Sequence, residues 1–256
     1  MAEPVASRLR LALDAARRIL EIVDQGAPER AESMDRNDQV LWLAVSRGYR
    51  ILRSVRDIVE AHQEADDALI LARALMSAAL TALWLGLPDD EAERIRRGRI
   101  YLRDTLKARA VQIRELEAMG NPAPEGESAE LWAAKAEDVE VEGNMPPESV
   151  LAAQCGFGEV YSYVYRSGSA SVHFSLGAAL EGLDAGGQPV TSIWGVKMRL
   201  QEGQPERAAT ALLYACLVYA MLLEATEPRL KHRLGEPTVG VLTGLSLTEE
   251  PQSEET

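Results

Sequence analysis

The run "AATALLYACLVYAMLL", residues 208–223, carries no charge over 16 positions and is bounded by Arg207 and Glu224. A helix that spans a bilayer needs roughly 20 apolar residues. The run is therefore read as a core helix buried on all sides, not as a membrane segment. A helix with no polar face must be surrounded by other elements, so the rest of the chain has to supply them.

Helical periodicity supplies them on both sides. Leu9, Leu13, Ala16, Leu20 and Val23 follow three-four spacing in a first helix over about 4–24. A second covers about 36–62, with Val40, Leu43, Ala44, Ile51, Val55, Ile58 and Val59 as its apolar positions. A third, "ALILARALMSAALTALWLGL", starts after a cap at Asp66 or Asp67 and stops at Gly86 and Pro88. A fourth opens on acids and turns basic toward residue 119, which suits the helix dipole at its start. Pro/Gly loops then flank a short helix at 129–138, and a further helix begins near Glu148, with residues 161–175 in it or just after it. Residues 182–205 hold five glycines and two prolines and read as a hairpin, a lid or a long connection. The expected fold is all-α: one antiparallel bundle of about seven helices over residues 1–234, then a disordered acidic tail over 235–256.

Composition limits the function. Of 256 residues, 46% are hydrophobic, enough for a substantial core; 27 Lys and Arg against 40 Asp and Glu leave a net charge of −13. Such a chain repels polyanions at long range, so nucleic-acid binding needs a local basic patch. Arg96, Arg99, Arg103 and Lys107 share one face of the fourth helix and form the one candidate patch. The alternative is a solvated face neutralised by acidic neighbours. Cys155 and Cys216 form no CxxC pair and read as free thiols of a reducing cytoplasm. The charged N-terminus has no signal-peptide apolar region. His62, His173 and His232 have no metal-ligand spacing, and no phosphate-binding or dinucleotide glycine loop is present. No metal and no cofactor is expected.

The stretch "YSYVYRSGSASVHFS", 161–175, carries the strongest chemical signal. On a helix, Arg166 and His173 fall on one face, with Ser169 between them. Arginine offers a fork of donors for a phosphate, and histidine moves protons near neutral pH. Together they could support metal-free cleavage of a phosphodiester. The competing reading is a small-residue packing face with His173 and Arg166 satisfied by acids. Arg73 interrupts the apolar third helix. It reads either as a structural ion pair or as a pocket residue facing Ser169 and His173.

Tyr165, Arg166, Ser169, Val172 and His173, with Arg73 and Trp84 upstream, resemble the bacterial domain-of-unknown-function family 5677, over about residues 40–225. That resemblance implies an uncharacterised all-helical protein and groups Arg73 with the Arg166–His173 stretch. Ser77 stands where the family often has a glutamate. The R-x6-H spacing also resembles HEPN domains, which are helical, usually dimeric, and often metal-independent ribonucleases. Ser167 follows the arginine here in place of the common asparagine. Two functions follow as expectations: a cytoplasmic binding or assembly module, or a HEPN-like ribonuclease of stress or phage defence. The partners left open are a second copy of the chain, RNA or another protein; no membrane is expected.

Overall fold

A computed structural model describes residues 3–26, 34–172, 189–193, 196–199 and 205–246. Among these the chain forms nine α-helices and one two-stranded hairpin. The helices are α1 (Glu3–Gly26), α2 (Arg36–His62), α3 (Ala65–Gly86), α4 (Glu91–Ala118), α5 (Ala129–Glu137), α6 (Glu148–Gln154), α7 (Gly158–Val172), α8 (Pro205–Leu230) and α9 (Gly235–Ser246). Strands β1 (Pro189–Ile193) and β2 (Val196–Arg199) pair antiparallel within the segment read as hairpin, lid or connection.

Local chemistry sets the helix ends. Asp35, Asp90 and Ser128 accept from the backbone N–H of Asp38, Ala92 and Leu131 at 2.7, 3.0 and 3.1 Å, so α2, α4 and α5 begin on capped turns. The helix that begins at Glu148 ends at Gln154, and 161–172 lie in a second helix after it. Gly156 adopts φ +77°, its N–H reaches Ala153 O, and the Phe157 N–H donates to Ala152 O at 2.7 Å. That is a Schellman stop, with the buried Phe157 as its apolar anchor.

Helix α8 is the centre of the bundle, touching α1, α2, α3, α7 and α9. Leu212, Cys216, Val218, Tyr219, Leu222 and Leu223 are fully buried, while Leu213 and Leu217 are half-buried on its outer side. Ion pairs fix its direction. Arg207 reaches Asp66 at the start of α3, and Arg229 bonds Asp38 at the start of α2 at 2.8 Å. Thus α8 runs along α3 and against α2. In the same way, Arg17–Glu60 and Tyr49–Asp24 hold α1 antiparallel to α2. Both α3 and α8 are long and apolar enough to cross a membrane; in this structure 61% of each apolar window is buried in the bundle.

The expectation of a disordered tail from 235 is corrected over its first 12 residues. Residues 235–246 form α9, which packs on α1 and α8. Three glycines (235, 240 and 244) make this segment look unable to hold a helix, but its contacts override propensity. Gly235 lies so close to Glu224 that an added Cβ would sit 2.7 Å from its Cα, and its N–H donates to Glu227. Thr238 is buried and bonds back to Leu234 O. Residues 247–256 lie outside the described residues.

Gly48 of α2 lies directly over the Tyr219 ring, where a Cβ would sit 2.7 Å from Cε2. Gly48→Ala should therefore destabilise by about 1–3 kcal/mol in chemical unfolding, despite the better helix propensity of alanine. Gly98 of α4 has open space around it. Gly98→Ala should leave stability equal or raise it by up to ~1 kcal/mol.

Candidate functional site

Helix α7 packs against α3 and α8 through the tyrosines of "YSYVY". Residues four apart share a helix face and residues two apart do not. Accordingly Tyr161 and Tyr165 stack on one side, their centroids 5.0 Å apart, and Tyr163 stacks on Tyr214 of α8 at 4.4 Å on the other. The Arg73 guanidinium lies over the Tyr165 ring, 4.5 Å from its centroid. Arg73 is half-buried and makes no ion pair with a described carboxylate. Among the described residues its contact is this cation–π pair, which needs no acid beside it.

The structure thus brings Arg73 to the helix that carries Arg166 and Ser169. His173 follows directly after the last residue of α7 and lies outside the described residues, so the expected Arg166–Ser169–His173 face is not described.

Ser77, where the resembling family often has a glutamate, lies one turn beyond Arg73 and lines an open groove of about 580 Å³. The floor is the outward stripe of α3: Ala74, Ser77, Ala78 and Thr81. Leu43 and Arg47 of α2 form one wall, and Tyr101 of α4 closes the end. Leu43 belongs to the apolar periodicity of α2, yet it is 56% exposed, because the floor beside it is too small to cover it. A shallower depression continues along α2 past Arg47 to Arg50 and Ser54. The sequence signal was available in "ALMSAALTA", where small residues recur every three or four positions. It reads equally well as close helix packing.

One member of the expected basic patch is turned inward. Arg103 is 9% exposed; it donates to the carbonyls of Val141 and Gly143 at 3.0 and 2.8 Å and pairs with Asp104 at 2.8 Å. It pins the 138–145 connection to α4 and must be removed from the candidate patch. Arg96 is held by both oxygens of Glu93. Arg97 shares that carboxylate, stacks on Trp84 and donates to Trp84 O at 2.8 Å, which ties α4 to the C-terminal end of α3. Arg99 and Lys107 are exposed. Hydrogen bonds from Arg96 first and then Arg97 hold the Glu93 carboxyl down at about 2.

Burial pushes the Cys216 thiol up to about 12 and raises Cys155 as well, so both are poor nucleophiles. Among the described residues no three of His, Cys, Asp and Glu converge as metal ligands. No family model matches the sequence, and no curated protein or solved structure matches the chain.

A double-mutant cycle with Arg73→Met and Tyr165→Leu should yield a coupling of about 0.5–2 kcal/mol. A second expectation concerns pH. The Glu93 pKa is lowered in the fold, so its contribution is full above the ordinary carboxylate value and is lost as pH falls from about 4.5 toward about 2. NMR titration of the Glu93 side chain should find it ionised at pH 3; a midpoint above 4 would contradict the three-residue arrangement.

Proposed function

We propose that the chain is a cytoplasmic, non-catalytic binding module whose α2–α3 groove receives one amphipathic helix of a protein partner. The observation that carries this is the groove itself, an open channel of about 580 Å³ with a floor of small residues, an exposed Leu43 on one wall and Arg47 at its rim. Small residues let a partner backbone approach closely, and an apolar wall accepts anchors at i, i+3 and i+4. Arg47 and Arg50 on the same side favour a partner helix with acidic residues along that edge. The internal use of Arg96, Arg97 and Arg103 supports a protein partner over RNA.

A second reading, the metal-independent ribonuclease, draws on the Arg73–Tyr165 contact, because it sets one arginine beside the segment that carries Arg166.

Fluorescence polarisation with a panel of labelled 16-residue amphipathic helical peptides separates the two. Peptides with an acidic edge should bind saturably. Ala78→Arg should abolish binding without lowering the melting temperature, and Arg47→Glu should reverse the charge preference. Absence of binding across the panel would contradict the groove. Cleavage of mixed RNA in excess chelator, lost in His173→Ala, would establish the ribonuclease instead.

A further inference from the structure

At the meeting of α1, α2 and α8 lies a separate pocket of about 210 Å³, on the face of α2 opposite Arg47. Three of its lining residues are aromatic: Trp42 and Tyr49 of α2 and Tyr219 of α8. A seven-residue step returns within about 20° of the same helix face, so Trp42 and Tyr49 lie two turns apart along one side of the pocket. Tyr219, fully buried, lies beneath them. Its hydroxyl donates to Val45 O at 3.2 Å, so its polar group is already used. Asp24 of α1, exposed at the rim, is the one charged lining residue. The Tyr49 hydroxyl donates to Asp24 Oδ1 at 2.7 Å, which fixes the carboxylate beside the aromatic wall and leaves Oδ2 as an acceptor.

Aromatic walls with one fixed carboxylate favour a particular ligand chemistry. Ring quadrupoles attract a cation within about 6 Å, most strongly when it is weakly hydrated. A metal ion would need several oxygen ligands and finds one carboxylate and the Ser46 hydroxyl. An anion is opposed by Asp24 and by the net charge of −13. The volume equals that of about seven water molecules at ~30 Å³ each, room for a compact methylated nitrogen. Arg53 and Arg56 lie further along α2, near enough to act on the Tyr49 hydroxyl, but neither lines the pocket, and Arg56 is held by Asp57.

We propose that the Asp24–Trp42–Tyr49–Tyr219 pocket binds a methylated ammonium group. Its source is either a free small molecule or a methylated lysine side chain. The site is independent of the groove reading, and peptide binding at Arg47 can fail without affecting it.

Calorimetric titration of the full chain at constant ionic strength tests the assignment. Tetramethylammonium should bind saturably, in about the millimolar range. Neopentyl alcohol, similar in shape but neutral, should bind at least ~5-fold more weakly. Trp42→Phe should keep most of the affinity, and Asp24→Asn, at an exposed position, should weaken it by about 5-fold with an unchanged melting temperature. Choline and a trimethyl-lysine peptide, titrated in parallel, distinguish the two sources by which binds tighter. The proposal is overturned by no saturation up to ~50 mM tetramethylammonium, by equal binding of the neutral analogue, or by Asp24→Asn binding as the parent does.

Discussion

Helix α8 has apolar side chains around nearly its whole circumference, and its burial is the constraint on which the other elements depend. Removing Leu212, Cys216, Val218, Leu222 and Leu223 from water on several sides requires helices on several sides. Helices α1, α2, α3, α7 and α9 meet that need. Their approach is limited by Tyr219, whose ring fits only because residue 48 has no side chain. The same ring lines the aromatic pocket, so a close contact between helices and a concavity share one residue.

Helix α4 is organised on a different principle. Its contacts are chiefly with α5 and the connection after it, and arginine makes many of them. A guanidinium has five donors and stays charged, so in a half-buried place it must find acceptors. Arg97 finds the end of α3, Arg103 the carbonyls of 141 and 143, and Arg109 the Glu127 carboxylate that also receives Trp132 Nε1–H. Within a run that looks like a nucleic-acid stripe, Arg97, Arg103 and Arg109 thereby tie α4 to the elements around it.

The sequence conveyed the fold class well and the site poorly, for identifiable reasons. The helices from α1 to α5 and the core role of α8 follow from periodicity and stop signals, which depend on residues close in sequence. The division between α6 and α7 was carried by Gly156, but a single glycine also fits inside a helix. Helix α9 was missed because its stability comes from Glu224, Glu227 and Leu234, outside the segment itself. Arg103 was misassigned because two of the acceptors that bury it are backbone carbonyls about 40 residues away, which leave no side-chain pattern. Arg73 was correctly singled out as an anomaly, and its partner was a tyrosine in the very motif beside which it had been grouped.

Native-state hydrogen exchange measures the central claim, that α8 is the innermost helix of the bundle. The account predicts that amides of Leu212–Leu223 exchange only through global unfolding, with opening free energies equal to that from denaturant melts, while those of α4 and α9 open at lower cost. Exchange in α8 as fast as in α9, or before the ends of α4 open, would contradict it.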